Sequence, residues 1–314
     1  MKAIGLYEYG GPDVLQVLDL PEPQAGAGEV RIRVHAAAVS PTDVLLRTGG
    51  HAVRMPDRRP PFVPGMDAAG VIDQIGPGVD DRLAVGQRVI AMVLFVGEHG
   101  GAYAEQVVVP AASVVPAPEG ADFAAASTLL MNAVTARLAL DEIAAPRGAT
   151  VAVTGAAGAV GGYAVELARA DGLTVIADAA PRDVELVRGF GADSVVARGP
   201  EVATRIRELV PEGVAGLVDG SWQAEQVVPA VVDGGTIAEL RGWDGPAERG
   251  IAVRPVMAPD GMYDTELLDR LRRQVEDGAL SLRVAEVLPA EEAAKAHRLL
   301  EAGGLRGRLV LDFS

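Results

Sequence analysis

Apolar and polar residues alternate along Glu29-Val-Arg-Ile-Arg-Val-His35, the two-residue period of a half-buried strand. Val30, Ile32 and Val34 therefore face a core while Arg31, Arg33 and His35 face away. Further strands are predicted at 70–75, 87–93 and 104–109, each bounded by glycine or proline, and the opening Met1-Lys-Ala-Ile-Gly is strand-like. Up to about Val115 the chain reads as a strand-rich, partly barrel-like domain. Around Pro116 the pattern changes: 121–140 is alanine-rich and helical, and from Thr150 strands and helices alternate. Strands at 150–153, 174–177, 194–197, 216–219 and 235–240 are interleaved with helices, two of them at 183–190 and 201–209. Such alternation builds a parallel sheet covered on both faces. Helices at 265–276 and 291–302 and a last strand at 307–312 follow. The fold class is α/β, a doubly wound parallel-sheet domain inserted between two parts of a strand-rich one.

One stretch carries the chemistry. From Thr150 to Val153 a buried strand runs into Gly155, Ala156, Ala157, Gly158, Ala159, Val160 and Gly161, and then Val160, Ala164, Leu167 and Ala168 repeat at helical spacing. A glycine turn between strand and helix lets the backbone approach a ligand. The helix N-terminus beyond it offers unpaired N–H groups and partial positive charge to a pyrophosphate. The match to G-x-G-x-x-G is relaxed, since Ala156 stands at the first glycine. The next strand ends in Asp178, twenty residues beyond Gly158, near the spacing at which an acid meets the adenosine ribose.

Composition narrows the function. With 314 residues, 49% of them hydrophobic and 23% charged, the chain can bury two cores. No uninterrupted apolar run approaches the roughly 20 residues of a bilayer span and no cleavable leader is evident, so no membrane partner and a cytoplasmic location are expected. A net charge of -15 repels phosphate backbones, which argues against nucleic acid. The absence of cysteine excludes disulfides, thiolate metal sites and a cysteine nucleophile. His35, His99 and His297 fall on a polar strand face, in a glycine loop and beside Arg298 on the last helix, and no His, Asp and Glu cluster has metal-ligand spacing. The basic tract 54–59 reads as a solvated loop.

The segments Ala38-Val-Ser-Pro-Thr-Asp43, Pro64-Gly-Met-Asp-Ala-Ala-Gly70, Val85-Gly-Gln-Arg-Val89, Gly100-Gly-Ala-Tyr-Ala-Glu105, Val134-Thr-Ala136, the glycine turn and Gly191-Ala-Asp193 stand in a familiar order. In them the whole chain resembles the medium-chain dehydrogenase/reductase superfamily, and most closely its zinc-independent, zeta-crystallin-like quinone oxidoreductases and related enone reductases. The resemblance implies a GroES-like catalytic domain over 1–120, a Rossmann dinucleotide-binding domain over 121–259 and a C-terminal part of the catalytic domain over 260–314. It also implies hydride transfer from NADPH or NADH to a quinone or other conjugated carbonyl compound. Alternatives are an enoyl reductase on a biosynthetic intermediate, or a cofactor-binding protein without redox turnover.

Zinc-dependent relatives bind metal through Cys, His and Cys, positions that align with Ser40, Met66 and Met131, a set that cannot hold zinc. No metal is therefore expected. In the substrate loop 40–51, Ser40 stands where the family often has Asn, and Leu45 and His51 where it often has Tyr. His51 or Ser40 is expected to hydrogen-bond the substrate carbonyl, with Asp43 either a third catalytic group or a cap paired to Arg47. For the coenzyme the resemblance implies the glycine turn on the pyrophosphate, with Thr135, Leu240 and Arg241 near the nicotinamide. Asp178 favours an unphosphorylated ribose and Arg182 a 2′-phosphate, so the choice stays open. A homodimer is expected through an edge strand near 251–256.

Overall fold

The computed structural model describes residues 1–314 apart from Asp244, Pro246 and Ala247. Two compact units result, one made of Met1–Met131, Met262–Glu276 and Leu282–Ser314, the other of Asn132–Gly261 and Asp277–Ser281.

In the first unit, β1 (Lys2–Gly5) and β2 (Gln16–Asp19) form an antiparallel pair, and β3 (Glu29–Ala38), β4 (Asp67–Ile75), β5 (Arg88–Met92), β6 (Gln106–Pro110) and β7 (Val114–Pro116) belong to a larger sheet. Val30, Ile32 and Val34 of β3 are at most 1% exposed, as alternation requires. Two helices belong to this part, α1 (Pro41–Thr48) and α2 (Phe123–Ala126). The unit extends to Met131 rather than ending at 120, because Phe123 stacks on His35 of β3, with ring centroids 4.5 Å apart, and Arg88 of β5 lies 4.5 Å from the same ring.

The helical run expected over 121–140 is two helices, α2 and α3 (Leu130–Ile143). Ser127 and Thr128 separate them, their hydroxyls donating to the carbonyls of Ala124 and Ala125, a local bond that competes with helix propagation. The run Phe123–Ile143 is long and apolar enough to cross a membrane, although Arg137, Asp141 and Glu142 interrupt it, and 78% of its most apolar stretch is buried within the protein.

The second unit alternates strand and helix as far as β11 and ends in strands: β8 (Thr150–Thr154), α4 (Ala159–Ala170), β9 (Thr174–Ala179), α5 (Val184–Gly189), β10 (Ser194–Ala197), α6 (Val202–Leu209), β11 (Val214–Asp219), β12 (Val231–Glu239) and β13 (Ala252–Pro255). All six strands are parallel, in the order β10-β9-β8-β11-β12-β13. This is the dinucleotide-binding order, whose direction reverses between β8 and β11. Ile176, Ile206, Leu217, Val227 and Ile237 pack its core.

The chain then returns to the first unit with α7 (Thr265–Glu276), β14 (Val284–Pro289), α8 (Ala293–Ala302) and β15 (Arg308–Asp312). Residues 277–281, expected with them, belong to the second unit, where Ser281 donates its hydroxyl to Glu166 of α4. The larger sheet runs β14-β15-β3-β4-β5-β7, with β6 also on β3. Strands β2 and β14 escape the pattern rules because most of their residues are solvent-exposed.

Candidate active site

Four neighbouring strands of the second unit end in buried polar residues: Asp178 on β9, Thr154 on β8, Asp219 on β11 and Glu239 on β12, none more than 4% exposed. Each carboxylate satisfies the amides of a loop at this edge. Asp178 accepts from the amides of Gly155 (2.7 Å) and Ala156 (3.4 Å). Asp219 accepts from the Thr154 hydroxyl (2.7 Å) and from the amides of Ser221, Gln223 and Ala224. Glu239 takes the amides of Arg241, Gly242 and Trp243 on Oε2. Loops pinned in this way form a fixed surface at the carboxyl edge, where open parallel sheets bind ligands.

At the reversal point the glycine turn has three distinct jobs. Gly155 has φ 67°, in the left-handed region, and a Cβ there would lie 2.8 Å from the Gly220 carbonyl. Gly158 is the exposed N-cap of α4 and supplies no side chain to cap it. Gly161 packs the helix onto the turn, since a Cβ there would lie 2.3 Å from the Gly155 carbonyl oxygen. Around them Ala156 is buried and Ala157, Ala159 and Val160 are half-buried. A 12-residue helix opening on a bare glycine fits a pyrophosphate.

Asp178 serves the turn itself. Its carboxylate is turned inward onto the turn amides, and burial pushes its pKa up while those amides oppose the shift. Through Oδ1 it shapes the cradle. Arg182, by contrast, is 74% exposed, with only a 3.9 Å contact to Asp183. Thr135 is buried on α3, Leu240 is half-buried, and Arg241 is exposed with its guanidinium 5.4 Å from the Trp222 ring.

In the first unit, two of the three expected catalytic residues are structural. Ser40 and Asp43, both 0% exposed, form a capping box: the Ser40 hydroxyl accepts from the Thr42 amide (3.3 Å) and Asp43 from the Ser40 amide (2.8 Å). Reciprocal bonds of this kind satisfy the free amides of a helix start. Asp43 also accepts from the Gly65 amide (2.9 Å) and the Tyr103 hydroxyl (3.0 Å). Burial raises its pKa to about 6 against those hydrogen bonds.

The expected Asp43–Arg47 pair does not form. Arg47, 1% exposed, donates to His297 Nδ1 (3.2 Å), the Gly10 carbonyl (2.6 Å) and Glu301 (2.5 Å). With Nδ1 accepting, the proton of neutral His297 sits on Nε2, 3.4 Å from the Tyr103 hydroxyl. Burial, then the Arg47 charge, pushes the His297 pKa down to about 3. A continuous chain from Arg47 through His297 and Tyr103 to Asp43 results. Nothing in the sequence signals it, because Arg47 and His297 are 250 positions apart.

His51 alone keeps an open function. Its Nε2 is buried without a partner, its ring lies 5.3 Å from that of Phe95, and burial, then Arg54, lowers its pKa. Neutral imidazole is therefore its state near pH 7.

The residues aligned with metal ligands lie beside another buried pair. Arg308 Nη2 meets Asp67 at 3.0 Å and Nε donates to the Val39 carbonyl, while Asp67 also accepts the Met131 amide. Val39 precedes Ser40 and Asp67 follows Met66. Among the described residues no group of three or more His, Asp and Glu side chains could hold a metal ion.

This architecture defines a class of two-unit nicotinamide oxidoreductases, and the comparisons agree. Residues 26–119 match the alcohol dehydrogenase GroES-like domain and residues 175–311 the zinc-binding dehydrogenase family, so the glycine turn lies outside both matches. The chain is 30% identical to the chloroplastic NADPH-dependent alkenal/one oxidoreductase of Arabidopsis thaliana, over 99% of this chain and 79% of that protein. It is 29% identical to the quinone oxidoreductase of Sus scrofa, over 99% and 97% of the two chains. A mycobacterial protein solved in complex with NADPH superposes with a TM-score of 0.86 at 28% identity, covering 99% of this chain and 100% of that one. The chain belongs to the medium-chain dehydrogenase/reductase superfamily, among its zeta-crystallin-like quinone oxidoreductases.

Proposed function

We propose that this chain is an NADPH-dependent reductase of quinones or enones that works without a metal ion. The observation that carries the reading is the bare glycine N-cap of α4, placed by Asp178 and Asp219 at the reversal point of the parallel sheet. Residues 155–161 hold the pyrophosphate through backbone amides and the helix dipole. Thr135 and Leu240 flank the nicotinamide. With Asp178 Oδ1 engaged by the turn amides, exposed Arg182 is placed to pair with a 2′-phosphate.

Bound there, the reduced coenzyme supplies a hydride. The chain contributes the environment that receives it. An acceptor conjugated to its carbonyl spreads the arriving charge over several atoms, so a hydrogen-bond donor suffices where a simple ketone would need a Lewis acid. His51 Nε2, neutral and unpartnered, is that donor; its lowered pKa suits it to hold the carbonyl oxygen rather than to act as a strong acid near pH 7. Zinc independence rests on residue chemistry, since Ser40 is committed to the α1 cap and Met66 and Met131 carry thioethers.

The working form is a cytoplasmic homodimer. Strand β13 is the last of its sheet, bonded among the described residues to β12 alone, and such an edge suits pairing with a symmetry mate. The net charge of -15 keeps nucleic acid and anionic membranes from being partners.

NADPH carrying deuterium at its transferable position tests the reaction. With an enone, the label is expected on the carbon β to the carbonyl. Coenzyme that binds but is never oxidised by any quinone or enone would leave a non-redox protein instead.

A further inference from the structure

Loop 220–224 leaves β11 and runs directly against the glycine turn: a Cβ on Gly155 would lie 2.8 Å from the Gly220 carbonyl carbon and 3.0 Å from the Ser221 amide nitrogen. Its backbone is strained. Trp222 and Ala224 have φ of 57° and 52°, in the left-handed region that bulky L-residues avoid. Asp219 enforces the conformation, accepting from Ser221 (3.3 Å), Gln223 (2.8 Å) and Ala224 (2.9 Å), while Gln223 donates to the Ser221 hydroxyl (2.7 Å). Strain that the surroundings over-determine in this way collects at ligand clamps.

The strained backbone turns an indole toward solvent. Trp222 is 59% exposed, so burial does not explain its presence, and Arg241 from the loop after β12 lies over its ring at 5.4 Å. The ends of β9, β11 and β12 carry three buried acidic side chains, Asp178, Asp219 and Glu239, and Arg241 is a cation that the loop after β12 brings to this edge.

We propose that Trp222 and Arg241 form a coenzyme clamp, in which the indole stacks on a planar ring of the dinucleotide and Arg241, steadied by the indole, pairs with its phosphates. Aromatic stacking and a cation over an aromatic face both gain strength as water is excluded. The clamp rests on the reading of the second unit as the coenzyme domain, and explains how an acidic sheet edge retains an acidic ligand.

The chain has two tryptophans, Trp222 and Trp243. In a Trp243→Phe protein, titration with NADPH is expected to quench the remaining indole emission and transfer energy to the reduced nicotinamide. If that variant folds poorly, the difference between wild type and Trp222→Phe gives the same reading. Calorimetry supplies a second arm. Trp222→Gly relieves the backbone strain, so its thermal midpoint is expected to stay level or rise while the coenzyme Kd rises about tenfold; a residue with only a structural role would lower the midpoint and leave Kd alone. Arg241→Gln is expected to weaken binding similarly and to flatten its salt dependence. Wild-type Kd in both variants, with no quenching of Trp222, overturns the clamp while leaving the proposed function intact. Failure of the wild type to bind either coenzyme removes the proposed function, and the clamp with it.

Discussion

Arg308 and Asp67 meet at 3.0 Å with neither residue more than 6% exposed, and this ion pair ties together the chain at Val39, Asp67 and Met131. Burial pushes the Asp67 pKa up, and the Arg308 charge and the Met131 amide counter that push. Breaking such a pair strands a charge in the interior. Asp67→Leu or Arg308→Met is therefore expected to cost about 3 to 5 kcal/mol, whereas the double variant Asp67→Leu/Arg308→Met loses less than the sum of its parts. Urea unfolding of the wild type and the three variants measures this, and additive losses would contradict it.

The network from Arg47 to Asp43 makes a signed prediction about pH. His297 has its folded pKa lowered to about 3 from an unfolded value near 6.5. Its contribution is complete above the unfolded value and is lost as pH falls toward 3. Asp43 has its folded pKa raised to about 6, so its contribution is complete below about 3.9 and is lost as pH rises through 6. Between pH 4 and 6 the two slopes oppose. His297→Gln is expected to gain stability relative to wild type as pH falls from 6 to 4, by about 3 kcal/mol at most. Asp43→Asn is expected to lose stability over the same interval. Denaturant midpoints at several pH values measure both differences, and differences independent of pH would contradict the tautomer and network described.

Asp178 separates two roles by the pattern of its loss. As the residue that pins the turn at Gly155 and Ala156, its replacement by Asn is expected to weaken NADPH and NADH to a similar degree. Arg182→Ala is expected to weaken NADPH alone, by the loss of a charge-assisted contact of roughly 1.5 to 3 kcal/mol. Calorimetric titration with both coenzymes gives the comparison. Improved NADPH binding in Asp178→Asn would assign it the ribose role.

Much of this architecture was legible in the chain because periodicity is a local property. Helix α7 runs over Thr265–Glu276 as its pattern predicts, and β3 buries Val30, Ile32 and Val34. The glycine turn was legible for the same reason, since strand, turn and helix are contiguous. Asp219 and Glu239 could have been found with it, because each closes an apolar strand in the manner of Asp178. Direction was not legible: the sequence places Asp178 at the right strand end but cannot say that Oδ1 is held by the amides of Gly155 and Ala156. Nor could it bring Arg47 to His297 or Arg308 to Asp67, contacts that tertiary packing alone creates. Ser40 and Asp43 were assigned chemistry from the resemblance, while Ser40-Pro-Thr-Asp43 also carries a helix-start signal, and that signal prevailed.

The glycines of the turn differ in what they tolerate. Gly155→Ala forces a Cβ into the Gly220 carbonyl at positive φ, and Gly161→Ala forces one into the Gly155 carbonyl oxygen. Both are expected to lower stability by at least 1 to 3 kcal/mol and to abolish coenzyme binding. Gly158→Ala, at φ -78° with its Cβ 3.1 Å from the Gly155 carbonyl oxygen, is expected to lose less stability than either and to bind coenzyme weakly. Thermal melts paired with coenzyme titrations distinguish the two classes, and equal behaviour of all three would contradict the division of roles.

The most direct measurement is the consumption of NADPH by the purified chain with a panel of quinones and enones, before and after exhaustive treatment with a metal chelator. The account predicts oxidation of NADPH with at least one conjugated acceptor, at a rate unchanged by the chelator and reduced at least tenfold in His51→Gln. Loss of turnover on chelation, or a protein to which NADPH does not bind, would contradict it.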